Sequence, residues 1–214
     1  EPVVGSATAT YTRATTATVE DWEGTQHIVP DGELRWMGAR RTENLALTSD
    51  TSKADFTALS AGWTDATTPI NGFSKSIHVL PAGASYYAYR AGGTYTTVAG
   101  DDYIVSCYAE CDDGAVPVIG NTSGKDFHFI IGGVPALTGT VESVGGGVYR
   151  CSALKTNVSS SANTGIEKSS ASRQVGIKFT GFQIENVTNQ SIQTAADYVA
   201  TTTTAVTKWF DTTQ

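Results

Sequence analysis

Apolar and polar residues alternate in short runs along most of this chain, and glycine-containing turns separate the runs. Ser76–Leu80, Tyr86–Arg90, Tyr103–Glu110, Phe127–Ile131 and Val148–Leu154 each place apolar side chains at every second position, and Thr94–Val98, Val141–Val144 and Val206–Phe210 read as further short strands. A period of two puts those side chains on one face of a pleated strand, which is the pattern of a half-buried sheet. Gln174–Thr180 and Phe182–Val187 are interrupted only by Gly181, so they read as one long strand with a bend or bulge. In the second run Phe182, Ile184 and Asn186 share one face, and Gln183, Glu185 and Val187 share the other. Many short strands at close spacing predict a β-sandwich. Ala54–Leu59 reads as a single helical turn, and the Ser-, Ala- and Asn-rich stretch Ser159–Ser172 as a surface loop.

Composition agrees. Threonine fills 32 of the 214 positions and charged residues only 16%, a balance that favours strands over solvated helices. The length fits one large all-β domain, or one domain with an extension. Residues 1–46 stand apart: they hold Met37, which is the only methionine, four of the seven arginines, and Trp22 and Trp36. The Pro30-Asp31-Gly32 turn precedes a weakly alternating Glu33–Met37. This region reads as an extended N-terminal arm packed on the domain or on a neighbouring subunit, or else as an ordinary first hairpin. The expected division is an arm over 1–46 and a sandwich over 47–214.

The net charge of −7 supplies no basic stripe to neutralise phosphates, which argues against nucleic acid. Arg40-Arg41 beside Glu43 reads as a turn or a local ion pair. No apolar run approaches the roughly 20 residues that span a bilayer, so membrane insertion is not expected. Cys107 and Cys111 lie about 13 Å apart on an extended strand, too far to bond. Either could face Cys151 across a sheet, yet the odd count of three predicts reduced, buried thiols and a reducing assembly compartment. His27, His78 and His128 are scattered, so neither zinc nor another cofactor is expected. Asp101-Asp102 and Asp112-Asp113 sit in turns beside glycine, which is hairpin chemistry rather than a catalytic pair. A calcium site at Asp112 and Asp113 is the alternative. With no nucleophile elbow, metalloprotease motif or phosphate loop, the chain does not read as an enzyme.

The aromatic residues are more suggestive. Alternation puts Tyr87 and Tyr89 on one face of their strand and Tyr86 on the other, while Trp63 lies just upstream. Sugar rings stack their C–H faces on such side chains, and their hydroxyls take polar partners. Arg150, Gln183 and Glu185 are the candidate polar partners on neighbouring strands. Each aromatic could equally be a core residue.

Two end segments carry a family resemblance. Tyr11-Thr12-Arg13-Ala14-Thr15-Thr16-Ala17-Thr18-Val19-Glu20-Asp21 and Gly38-Ala39-Arg40-Arg41-Thr42-Glu43-Asn44-Leu45 open the chain; Phe182–Val187 and Tyr198-Val199-Ala200-Thr201-Thr202 lie near its end. Together they resemble bacteriophage fibre and spike proteins, in which such a leader precedes a jelly-roll module similar to carbohydrate-binding modules. The resemblance implies a jelly-roll β-sandwich on the exterior of a virion. It would be a fibre, spike or capsid-decorating subunit, a homo-oligomer (a trimer foremost) in contact with other virion proteins, and would bind host-surface glycans without catalysis. The alternatives are a purely structural virion subunit and a polysaccharide-degrading module.

Overall fold

A computed structural model of the protein describes residues 17–20, 26–29, 39–56, 58–80, 85–89, 96–190, 193–201 and 206–211. Two compact units divide the chain, Glu1–Thr42 with Lys208–Gln214, and Glu43–Thr207. Most of the expected arm, Glu33–Met37 included, lies outside the described residues. Within it β1 (Ala17–Glu20) pairs antiparallel with β2 (Gln26–Val29). A second ribbon joins β3 (Ala39–Asn44) to β15 (Val206–Asp211).

The larger unit is an all-β sandwich of two antiparallel sheets. Its strands are β4 (Ala58–Leu59), β5 (Trp63–Asp65), β6 (Ile77–Val79), β7 (Tyr86–Tyr89), β8 (Tyr103–Cys111), β9 (His128–Ile131) and β10 (Val134–Ala136). They continue as β11 (Thr140–Gly145), β12 (Val148–Lys155), β13 (Gly165–Lys168) and β14 (Ile177–Asn186). Among the described residues one antiparallel sheet runs β10-β9-β13-β7-β4 and the other β11-β12-β8-β14-β6-β5. The facing sides share one core. Tyr86, Ala88, Phe129, Ile131 and Ile166 come from the first sheet, and Val105, Cys107, Ala109, Cys151, Phe179, Phe182 and Ile184 from the second. Phe127 locks the layers with rings 4.7 Å from Phe179 and 5.4 Å from Phe129, both near-perpendicular, an arrangement that aromatic quadrupoles favour. Three of the four sheet edges are guarded: β4 and β5 are only two and three residues long, and β10 carries Pro135, which has no N–H to donate.

The alternation is realised where it is longest. β14 is a single ten-residue strand, and its register against β8 slips between Thr180 and Gln183, around Gly181 at φ +61°. A Cβ at Gly181 would stand 2.6 Å from Tyr108 Cδ2 and 3.0 Å from the Phe73 ring. Gly181→Ala would therefore add both left-handed backbone strain and overpacking, and should lower stability by about 2 kcal/mol or more in a urea titration.

Three local expectations are corrected. Ser159–Ser172 is not wholly loop, because Gly165–Lys168 forms β13 inside the five-stranded sheet, with Ile166 and Lys168 buried. Its apolar signal is one isoleucine and its second inward residue is a lysine, too little to register as a period. Ala54–Leu59 is not a helical turn but a 3₁₀ turn, Lys53–Asp55, followed by β4. Thr96–Val98 is not strand: Thr97 Oγ1 donates to the carbonyls of Ser159 (2.6 Å) and Ser161 (3.0 Å), so that segment bonds to a loop instead.

Candidate functional site

The outer face of the five-stranded sheet brings together a tyrosine, a carboxylate and an imidazole. Tyr86 and Ala88 face the core, so Tyr87 points outward and is 39% exposed. Hydrogen bonds to Ser60 fix its strand: Ser60 N donates to Tyr87 O (3.0 Å) and Tyr87 N to Ser60 Oγ (2.9 Å). Glu167 on β13 lies directly opposite Tyr87, and His128 on β9 directly opposite Glu167. The row Tyr87–Glu167–His128 thus crosses three strands at side-chain contact spacing, about 5 Å per step. His128 is buried, and its Nδ1 has no hydrogen-bond partner among the described residues. Burial pulls its pKa below the ordinary 6.5, with Glu167 opposing, so near neutral pH the ring is uncharged and can both donate and accept. Tyr89 shares this face by alternation and lies opposite Gly165; its side chain falls outside the described residues. Neither Glu167 nor His128 was among the sequence candidates. The Phe127-His128-Phe129 alternation marks His128 as outward-facing, but nothing in sequence places β13 between β9 and β7.

Arg150, Gln183 and Glu185 lie on the opposite outside of the sandwich and are occupied there. Gln183 and Glu185 face outward as their alternation predicts, yet are only 0% and 3% exposed, because residues 196–201 cross over them. Gln183 Nε2 donates to Glu185 Oε1 (2.9 Å) and to Asp197 O (3.2 Å), and its Oε1 accepts from Val199 N (2.7 Å). Ala196 N donates to Glu185 Oε1 (3.1 Å), and Arg150 Nη2 donates to Ala196 O and Ser106 Oγ. From the other flank, Asn44 Nδ2 donates to Val199 O (2.8 Å) and Phe182 O (3.0 Å), while its Oδ1 accepts from Ile184 N (3.1 Å). The expected polar groove is therefore an internal clamp that straps the chain's own late segment onto the sheet. Phe73, Tyr108 and Tyr198 pack beside it with centroids 5.0–5.6 Å apart, Tyr198 edge to face on both and Phe73 tilted on Tyr108.

Trp63 belongs to neither face. It is 1% exposed and its ring lies 5.9 Å from Phe179, so no ring face is open to a sugar. The expected site residues whose side chains are described thus fall into three places: Tyr87 on one outside, Arg150, Gln183 and Glu185 on the other, and Trp63 between the sheets.

The paired aspartates are engaged in holding turns and strand ends. His78 Nε2 bonds Asp112 Oδ2 (3.0 Å), and Arg173 Nη1 bonds Asp113 Oδ2 (2.8 Å). Asp101 accepts from Asn186 Nδ2 (2.8 Å) and Asp102 from Asn157 N (2.9 Å). Among the described residues no three acidic, His or Cys groups converge as metal ligands would, and no helix is long and apolar enough to cross a membrane. Deeper in, Arg173 grips Asp126 through Nε (2.7 Å) and Nη2 (3.1 Å). Lys168, 1% exposed, donates to the carbonyls of Arg173 (2.6 Å) and Asp126 (3.2 Å), and burial lowers its pKa. All three cysteines are free and buried, and burial raises each thiol's pKa, that of Cys111 to about 12.

No protein-family model matches the chain, and no curated protein sequence matches it. A solved structure that resembles it comprises the CBM22-1–GH10 modules of the Clostridium thermocellum N-terminal endo-1,4-β-D-xylanase 10B complexed with xylohexaose. The identity is 16% and the TM-score 0.36, over 68% of this chain and 28% of that one. This chain therefore spans well under a third of the neighbour's length, and its assignment as a sandwich rests on its own strand pairing.

Proposed function

We propose that this chain is a non-catalytic glycan-binding subunit on the exterior of a bacteriophage particle, with its sugar site on the outer face of the five-stranded sheet. The observation that carries the sugar reading is the row Tyr87–Glu167–His128. An exposed ring provides a stacking platform for the apolar face of a pyranose, and the Glu167 carboxylate beside it is matched to hydroxyls; His128, 3% exposed, ends the row without an open face. The virion reading rests on the resemblance of the two end segments to phage fibre and spike proteins. The absence of turnover is supported by the four turn aspartates, each already bonded to a structural partner.

Tyr87→Ala should weaken retention on a glycan array or a host-polysaccharide column by about 1–3 kcal/mol, the usual worth of an aromatic stacking contact. Its unfolding midpoint should stay near the parent's because the ring is exposed. Unchanged retention would remove the site. The purified chain should release no reducing ends from capsule or lipopolysaccharide; release abolished by one Asp or Glu substitution would make it an enzyme.

A second reading, assembly without sugar, is favoured by the internal use of Arg150, Gln183 and Glu185. Under both readings the chain is a homo-oligomer, a trimer foremost, joined through its N-terminal region, since segments that carry several large apolar side chains such as Trp22 and Trp36 commonly mark partner contacts. The truncation that tests this must stop short of Asn44, whose buried amide ties Val199 and Phe182. Removal of residues 1–38 should leave a folded monomer in analytical ultracentrifugation that no longer enters particles. A full-length chain that sediments as a monomer would defeat the assembly contact.

A further inference from the structure

Cys107 on β8 and Cys151 on β12 are direct cross-strand partners in an antiparallel ladder. Both side chains enter the core between the sheets, and both are 0% exposed. Directly opposed residues of an antiparallel pair have Cα atoms about 4.5 or 5.5 Å apart, depending on which kind of pair they form. Both values fall within the range of roughly 4.4–6.8 Å that a disulfide spans. Cys111 has no such partner. It lies four positions further along β8, against Ile177 of β14, and the Arg173 guanidinium donates to its sulfur at 3.6 Å.

We propose that Cys107 and Cys151 form a disulfide, stapling β8 to β12, once the assembled chain meets an oxidising medium, and that Cys111 stays a thiol. The oxidant is a small disulfide such as oxidised glutathione. One cysteine thiolate attacks it, forming a mixed disulfide and releasing one glutathione thiolate. The opposed thiolate then displaces the second glutathione, so two protein thiols and one glutathione disulfide become one protein disulfide and two glutathione thiols. The bond encloses β9, β10 and β11 within the chain loop from 107 to 151, so one covalent link spans elements of both sheets. Burial keeps both thiols protonated and out of contact with solvent, so the reaction proceeds from transient opening of the β8–β12 ladder. Freshly made chain in a reducing compartment therefore carries three thiols.

The test uses the full chain, purified reduced, and incubated with oxidised glutathione with and without a urea concentration well below the unfolding midpoint. Alkylation followed by peptide mapping should show a Cys107–Cys151 linked pair and an alkylated Cys111, formed faster in urea. The oxidised chain should unfold at a higher urea midpoint than the reduced one. Cys111→Ser should form the same pair, and Cys151→Ala should form none. A linked pair containing Cys111, or glutathione left on Cys107 and Cys151 separately, would overturn the proposal; so would three alkylated thiols after prolonged oxidation in urea. The mapping of the unmutated chain decides the matter even if a variant fails to fold.

Discussion

Trp63→Ala should cost about 3–5 kcal/mol, the usual loss when a large aromatic is cut from a core, and leave little folded protein at moderate urea. Trp63 is the largest fully buried side chain among the described residues, packed on Phe179 at one end of the six-stranded sheet. It sits in a three-residue edge strand paired only with β6, so packing rather than hydrogen bonding holds that edge in place. Its indole Nε1 has no partner among the described residues, so Trp63→Phe, which keeps much of the volume and loses no bond, should recover most of the stability. The measurement is a urea midpoint for each variant beside glycan retention. If Trp63→Ala keeps the parent midpoint and loses retention, the residue is a ligand contact and its burial is misjudged.

The second large effect is expected at Asp126. Its carboxylate receives Arg173 through two nitrogens and Val118 N at 2.8 Å, and its backbone carbonyl receives Lys168. Asp126→Ala would strand a guanidinium beside a buried lysine and leave Arg173 only its outer partner, Asp113, among the described residues. Removing one partner of a buried pair typically costs about 3–5 kcal/mol; the partial exposure of Arg173, 27%, places the expected loss near the lower end. Asp113→Ala, which removes the outer partner at 40% exposure, should cost under about 1 kcal/mol. Equal losses for the two variants in thermal or urea unfolding would show that Arg173 is not anchored chiefly by Asp126.

Sequence and structure agree where information is local. The alternation around Tyr86–Ala88 assigns Tyr86 and Tyr87 to the correct faces, and Gly181 marks the break in β14, because a period of two and a left-handed glycine act within a few residues. They part where a distant segment decides the outcome. Gln183 and Glu185 do face away from the core, but whether that face meets water depends on residues 196–201 crossing it. Nothing in the Phe182–Val187 run encodes that crossing. Likewise, Tyr87 and Gln183 cannot be assigned to different sheets from their own strands, since strand order is set by pairing between residues far apart in sequence. β13 escaped notice because its buried lysine breaks the apolar pattern. That lysine is tolerated only because two carbonyls from other segments receive its ammonium group.

The clamp formed by Asn44, Gln183 and Glu185 has a consequence for how the chain folds. Asn44 and Val199 are 155 residues apart, and Thr201 N reaches back to Ser49 Oγ across 152. Contacts of such long range slow folding, because the loop they close is entropically costly until both ends are in place. During synthesis the ribosome would have to release residues beyond Thr201 before the outer face of the six-stranded sheet could be covered. Until then a nascent chain with a complete core would still leave Gln183 and Glu185 without the backbone groups of residues 196–199 that bond them. In that interval the same polar groups are open to other partners.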